Sequence, residues 1–180
     1  MTANTLVAYY SMSGNTRAIA NEISDALGAD IEEIREPRAR RGVAGAVRGL
    51  VDAVLRRQPP ILPIDHDPTR YELLVLGGPV WAGRMAAPVR TFAKQHATQA
   101  PQIAFFCTEG GRGADTAFAD LESLCQHAPK ATLVVDGKHL ESALHRAELG
   151  HFASCTGRAI RAGHGPREPS TSRAFRASDS

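Results

Sequence analysis

The chain has 180 residues, of which 43% are hydrophobic and 22% charged, and its net charge is +2. This length suffices for one domain to bury a core without metals or disulfides, and the composition is that of an ordinary globular protein. No apolar run approaches the roughly 20 residues that a membrane-spanning helix needs, and the polar start does not resemble a signal peptide. Three widely separated cysteines are typical of reduced thiols, so we expect a cytoplasmic protein.

Five short apolar segments predict β-strands, and segments with helical periodicity separate them. The strand segments are residues 5–10, 31–34, 73–76, 103–107 and 132–135. Gly28 is placed to end the first helix, and Pro88 to begin another. The apolar residues at helical spacing are Ile19, Ile23, Ala26 and Leu27, then Met85, Val89, Phe92 and Ala93, then Phe118, Leu121, Leu124 and Cys125. A last helical stretch begins near Leu140, and we expect it to break at Gly150.

This alternation predicts an α/β fold with a doubly wound parallel sheet of five strands in the order 2-1-3-4-5. In such sheets, ligands bind beyond the carboxyl ends of the strands, at the point where the strand order reverses. That point lies between the first and third strands. The loops at this edge of the sheet are residues 11–16, 77–87 and 108–115, so we expect the functional site there.

Two segments lie outside the α/β pattern. We predict one domain, residues 1–162. Residues 36–60 form an insertion within it, and their pattern predicts a basic amphipathic helix. Its apolar face comprises Val43, Val47, Leu50, Val51, Val54 and Leu55. We expect this face to pack on the edge of the domain with its arginines solvated; the alternative is a docking surface for a phosphate-bearing cosubstrate or an acidic partner. The basic tail, residues 163–180, is predicted to be disordered.

The loop after the first strand carries the strongest functional signal. It consists of Ser11, Met12, Ser13, Gly14, Asn15 and Thr16, and a helix begins at once. Backbone N–H groups at a helix start, together with these hydroxyl and amide groups, can hold a phosphate dianion without a lysine. An ordinary helix cap would explain one such residue but not five donors around a glycine.

Competing motifs are absent from the sequence. It contains neither a G-x-x-x-x-G-K-[ST] loop nor a G-x-G-x-x-G turn after the first strand, and the strand ends lack the acids of a response regulator. Cys107 and Arg112 are one residue too close for a phosphatase loop, which favours a buried thiol at Cys107. Histidines recur at six-residue intervals rather than at ligand spacing. We therefore expect neither a metal site nor a nucleic-acid partner.

Two loops in the correct order resemble those of the flavodoxin family. The segment Tyr9-Tyr10-Ser11-Met12-Ser13-Gly14-Asn15-Thr16 is similar to its phosphate loop, and Leu76-Gly77-Gly78-Pro79-Val80-Trp81-Ala82-Gly83-Arg84-Met85 is similar to its second flavin loop. The third loop agrees in order and spacing. The resemblance covers about residues 5–135 and implies a flavodoxin-like fold that holds one FMN.

The resemblance also implies a role for each loop. Residues 11–16 would bind the flavin phosphate. The second loop would contribute Pro79, Val80, Trp81, Ala82 and Gly83, with Trp81 stacked on the flavin ring and Gly83 as a hinge. The backbone of Thr108, Glu109, Gly110 and Gly111 would meet the pyrimidine edge, while Glu109 would be either an exposed loop carboxylate or an electrostatic influence on the ring. No side chain needs to act as a catalytic acid or base.

Two departures from the electron-shuttle pattern favour an FMN-dependent oxidoreductase. The third loop has no aromatic residue to cover the second flavin face, and the protein is basic rather than acidic. Both features favour a reductase that passes electrons from NAD(P)H, or from a redox partner, to a small acceptor such as a quinone. By family analogy, a second subunit would close the site as a homodimer. The alternatives are a flavodoxin-type one-electron carrier between proteins and an interaction domain without flavin.

Overall fold

A computed structural model describes residues 4–38, 42–136 and 143–163. The predicted tail beyond Gly163 and the predicted helix start near Leu140 lie outside these residues. Among the helices described, none is both long and apolar enough to cross a membrane.

One sheet forms the centre of the molecule. Its parallel strands are β1 (Thr5–Tyr9), β2 (Asp30–Glu33), β3 (Leu73–Trp81), β5 (Ile103–Glu109) and β6 (Thr132–Asp136). They lie in the order β2-β1-β3-β5-β6, and a two-residue strand, β4 (Arg84–Met85), pairs antiparallel with the end of β3. Among the parallel strands alone this is the predicted order 2-1-3-4-5, so the predicted fold class is confirmed.

Helices connect the strands. They are α1 (Asn15–Leu27), α2 (Gly42–Val54), α3 (Ala87–Phe92), α4 (Ala114–Cys125) and α5 (Ala143–Gly163); a π-helical turn (Ala93–Ala97) follows α3, and a 3-10 turn (Pro68–Arg70) precedes β3. Gly28 ends α1 in the left-handed conformation, as predicted. Helix α5 continues through Gly150, which contradicts the predicted break. The buried side chains of Phe152 and Thr156 anchor α5, and their packing offsets the roughly 1 kcal/mol that a mid-helix glycine costs.

The core lies on both faces of the sheet. On one face Leu74, Phe105 and Leu121 belong to a cluster that includes α3 and α4, and on the other Ile19 and Phe152 belong to a cluster that includes α1 and α5. Strand β3 is buried along its first six residues because helices cover both of its faces. Met85, predicted on the helix opened by Pro88, instead lies in β4, where its side chain is fully buried.

Helix α2 contradicts the predicted packing of its apolar face. Its five large apolar residues and Leu55, which follows the helix, are between 40% and 82% exposed: Val43, Val47, Leu50, Val51, Val54 and Leu55. The buried residues are instead Gly45, Gly49, Asp52 and Ala53. The cause is a tertiary contact, because a helix that lies close against an aromatic ring needs small residues at the contact, and Gly49 faces the ring of Trp81.

Candidate functional site

The loop after β1 forms the positive end of α1. Gly14 precedes the helix with a φ of 100°, a conformation that favours glycine, and because it has no side chain it cannot cap the helix itself. The hydroxyl oxygen of Ser11 accepts a hydrogen bond from the Gly14 N–H at 3.1 Å, which closes the loop. None of the first-turn residues is acidic. The helix start therefore keeps its positive end, which favours a bound anion.

Arg17, in the first turn of α1, is paired away from this loop. Its Nε donates a hydrogen bond to the Tyr9 hydroxyl at 3.3 Å, and its guanidinium forms an ion pair with Glu33 of β2. The loop therefore offers N–H and O–H donors rather than this arginine, as expected of a phosphate site that has no lysine.

The second loop is a tight hairpin between β3 and β4. Trp81 pairs with Arg84, and the two turn residues, Ala82 and Gly83, have φ values of 50° and 73°. These left-handed values are those of a type I′ turn, and Ala82 pays about 1 kcal/mol of backbone strain to adopt one. A Cβ on Gly113 would lie 2.5 Å from the Cα of Gly83, so only glycine allows the start of α4 to meet this turn.

A half-buried carboxylate anchors the same hairpin to α4. Asp120 lies 2.8 Å from Nε of Arg90 and 3.7 Å from Nη1 of Arg84. Arg90 is almost completely buried in α3, so this cluster joins α3, α4 and the hairpin. The turn is consequently held at both its base and its tip.

Trp81 is held from behind by two elements. Its ring meets the ring of Tyr10 edge-on, with centroids 6.2 Å apart and an interplanar angle of 89°. The Tyr10 hydroxyl donates to the buried Glu36 carboxylate at 3.2 Å. On α2, a Cβ on Gly49 would lie 2.6 Å from Cζ3 of Trp81, so the helix backbone lies directly against the ring. Trp81 is thereby fixed with part of its surface exposed.

A hydrogen bond joins the first and third loops. The hydroxyls of Thr16 and Thr108 lie 2.8 Å apart, and both side chains are buried although 92 residues separate them. The neighbouring Glu109 is half-buried, and its Oε2 is buried without a hydrogen-bond partner among the described residues. This corrects the expectation of an exposed carboxylate. Cys107 is buried, as predicted, and burial raises the pKa of its thiol to about 12, so it is not a nucleophile at neutral pH.

The three loops surround a cavity of about 310 Å³. It is lined by Met12, Ser13, Asn15, Thr16, Pro79, Val80, Trp81, Thr108, Glu109 and Gly110. All ten are among the predicted site residues. Ser11, Gly14, Ala82, Gly83 and Gly111 are not part of this lining. Gly14, Ala82 and Gly83 instead shape the turns that position it.

Several residues around the site were missed by the sequence prediction. Tyr10 and Glu36 support Trp81, Gly49 makes room for its ring, and Arg90 with Asp120 anchors the hairpin. Only Gly49 had a local signal, since it and Gly45 are small residues four positions apart on one helix face. Across the described ranges, no group of three His, Cys, Asp or Glu residues is arranged to hold a metal ion.

Comparison with known proteins agrees with this architecture. A flavoprotein from Lactobacillus acidophilus, solved in complex with FMN, matches with 22% identity and a TM-score of 0.63, covering 78% of this chain and 97% of that one. Oxidised flavodoxin 2 from Bacillus cereus matches with 18% identity and a TM-score of 0.57, covering 87% and 99%. A search of curated proteins found no match. At these identities the two structures show the same fold.

The family assignment comes from the sequence itself. The profile of the family described as Flavodoxin matches residues 4–155, which include all three loops and most of the described chain. This confirms the resemblance predicted from the loop motifs. The chain belongs to the flavodoxin family.

Proposed function

We propose that this chain is an FMN-binding flavoprotein and that it transfers electrons to a small acceptor. The observation that carries the proposal is the cavity, where a helix start able to bind an anion, a fixed tryptophan ring and a polar loop meet. FMN joins a phosphate dianion to a flat aromatic ring system with a polar edge. The residues present fit all three parts of that molecule.

The phosphate would be held by the first loop. The backbone N–H groups at the start of α1 and the side chains of Ser13, Asn15 and Thr16 supply donors at the cavity. Thr16 is already oriented by its hydrogen bond to Thr108. Its side chain therefore loses little conformational entropy when the phosphate binds.

The flavin ring would lie against Trp81. The ring of Trp81 lines the cavity while Tyr10 and Gly49 support it from other sides, so a stacked ligand would meet a pre-oriented aromatic surface. Glu109 also lines the cavity, and its Oε2, buried without a hydrogen-bond partner among the described residues, is an acceptor for a ring N–H group. When bound, FMN would supply the redox chemistry; the protein's part is to bind, orient and shield it.

We favour a reductase because the third loop leaves the second face of the ring uncovered. Residues 108–115 contain no aromatic side chain, and Gly110 and Gly111 are exposed. An open face admits a nicotinamide from NAD(P)H and then a quinone-like acceptor. A second subunit that closes this face, as a homodimer, remains a prediction.

A flavodoxin-type carrier is the second candidate. Membership of the flavodoxin family favours it, and carriage of single electrons between redox proteins would also need no acid or base in the cavity. The two candidates share the FMN site and differ only in whether a nicotinamide reacts directly with the flavin.

Two measurements test these proposals in sequence. The purified protein, incubated with FMN and desalted, should have the absorbance spectrum of a bound flavin; a colourless protein would contradict the FMN site. Anaerobic stopped-flow mixing with NADPH and then NADH should bleach the flavin within seconds if the protein is a reductase. Reduction by a redox protein but by neither nicotinamide would instead support the carrier.

A further inference from the structure

The outer face of α2 is an apolar surface with no partner in the described chain. At 100° per residue, Val43, Val47, Leu50, Val51 and Val54 form a stripe on the side opposite the buried Gly45, Gly49 and Asp52. Exposed apolar patches of this kind on a folded protein mark interaction sites.

The helix cannot turn over to bury this stripe. Its inner face lies against Trp81 through Gly49, and Asp52 is buried beside two arginines, 3.9 Å from Nε of Arg48 and 3.6 Å from Nη1 of Arg57. Arg48 also lies 3.8 Å from the buried carboxylate of Glu36. Rotation of the helix would separate Arg48 from Glu36 and carry the buried Asp52 of the same helix into solvent. The contacts of the inner face therefore keep the apolar stripe facing outward.

The segment that carries the stripe is strongly basic. Residues 35–57 contain seven arginines and two carboxylates, a net charge of +5 against +2 for the whole chain. Both carboxylates, Glu36 and Asp52, are buried, whereas the side chains of Arg35, Arg48 and Arg57 are between 43% and 61% exposed. The surface around the apolar stripe therefore presents cations and no exposed acid from this segment.

We propose that the outer face of α2 docks on a membrane surface that contains anionic phospholipids. A helix with an apolar stripe and a basic surround lies in the plane of the lipid interface, with its apolar side chains below the headgroups and its arginines at the phosphates. The long arginine side chains can reach the headgroups while their methylenes stay near the apolar stripe. Valine and leucine supply the apolar area, and the net charge supplies the attraction.

The charge argues against a second copy of the chain as the occupant. A two-fold pairing of α2 helices would place two segments of +5 side by side, and like charges across an interface oppose association. An acidic protein would complement the positive charge of this segment. It would also need an apolar groove of its own to cover a stripe along the whole helix. An anionic bilayer meets both requirements without a specific partner.

This inference goes beyond the proposed function and does not depend on it. The stripe lies on the opposite side of α2 from Trp81, so docking would place this wall of the cavity about one helix diameter from the lipid surface. A lipid-soluble acceptor would then be within reach of a bound flavin.

Vesicle flotation of the full chain tests the inference. We expect the protein to float with phosphatidylcholine vesicles that contain phosphatidylglycerol, and at least roughly tenfold less with phosphatidylcholine alone or at high salt. The variant V47S/L50S/V54S should lose at least roughly tenfold in vesicle binding because its apolar insertion is removed. The variant L62S/V134S, which removes two exposed apolar side chains elsewhere, should float like the wild type.

Circular dichroism and the melting temperature of both variants establish that they are folded, independently of FMN. Failure of the wild type to float on anionic vesicles, or unchanged flotation of V47S/L50S/V54S, would overturn the proposal. So would a wild-type dimer in sedimentation velocity that this variant abolishes, because a second copy would then cover the stripe. Binding to polyglutamate as tight as binding to the vesicles would likewise point to an acidic protein instead.

Discussion

Helices α1 and α2 are both 13 residues long and carry an apolar stripe at helical spacing, yet they present it to opposite environments. Helix α1 buries Ile19 and Ile23 against the sheet. Helix α2 buries Gly45 and Gly49 and leaves its stripe exposed. Amphipathic periodicity therefore identifies a helix and its faces without deciding which face meets the protein.

The difference arises from what each helix packs against. Helix α1 covers a broad apolar sheet, where branched side chains fill the space between the two layers. Helix α2 lies against one aromatic ring and the buried carboxylate of Glu36, and it carries a second buried carboxylate, Asp52; the ring requires close backbone approach and the carboxylates require cations. The functional site draws on both helices, since α1 supplies the anion-binding start and α2 supports the tryptophan.

The largest expected effect is a difference in the free energy of unfolding between a substitution in the stripe of α1 and one in the stripe of α2. Ile23→Ala in α1 should lower the free energy of unfolding by about 3 kcal/mol, because it opens a cavity beneath a fully buried side chain. Leu50→Ala in α2 should change it by less than about 1 kcal/mol, because that side chain is half-exposed. Urea denaturation measures both. Equal losses would show that the stripe of α2 is buried in solution.

The next effect concerns ligand binding at the start of α1. Thr16→Val should raise the FMN dissociation constant roughly tenfold or more, because it removes a hydroxyl donor from the cavity and leaves Thr108 unpaired. Fluorescence titration with FMN measures the change.

The double variant T16V/T108V is the control that separates binding from stability. It replaces both partners by side chains of the same shape, so the free energy of unfolding should stay close to that of the wild type while FMN binding stays weak. Wild-type FMN affinity in the double variant would exclude these hydroxyls from the phosphate site.

Gly49→Ala tests the contact between α2 and Trp81. The added methyl would overlap the ring, so stability should fall by about 1 kcal/mol even though alanine favours helices. Trp81 is the only tryptophan, so a shift of its fluorescence emission reports directly on its ring. Gly150→Ala in α5, where the methyl meets open space, should stabilise the protein and leave the emission unchanged. Identical responses of the two variants would contradict the contact.

The smallest expected effect concerns the ion pairs that dock α2. Asp52→Asn removes the charge beside Arg48 and Arg57 but keeps the shape of the side chain. Because both arginines are exposed enough for water to solvate them, α2 should open more often while global stability changes by less than about 1 kcal/mol. Trypsin cleavage after Arg48 should accelerate several-fold, as measured by mass spectrometry. Asp25→Asn, an exposed acid on α1, provides the matched control and should cleave at the wild-type rate.

Much of the fold could be predicted because its signals are local. Alternating apolar segments placed the parallel strands in the right order, and Gly28 marked the end of α1. The predicted site residues include the ten that line the cavity, because loops at the carboxyl ends of neighbouring parallel strands must meet at one edge of the sheet. Their binding role remains a proposal.

The errors were made where a distant contact outweighed a local preference. The spacing of Met85 from Val89 predicts a helix, but Met85 pairs with Val80 in the hairpin. Gly150 was expected to break a helix that is held by the buried Phe152. Glu109 was expected to be exposed, yet its loop packs one carboxylate oxygen out of contact with solvent.

The family, the order of the parallel strands and the three loops follow from the amino-acid sequence, because periodicity and turn residues act over a few positions. The bond of Thr16 to Thr108, the position of Gly49 against Trp81 and the outward stripe of α2 are visible only in the folded chain. These contacts join residues more than 30 positions apart. Which partner a side chain finds at such a separation depends on how the whole sheet and its helices pack, and no local pattern encodes it.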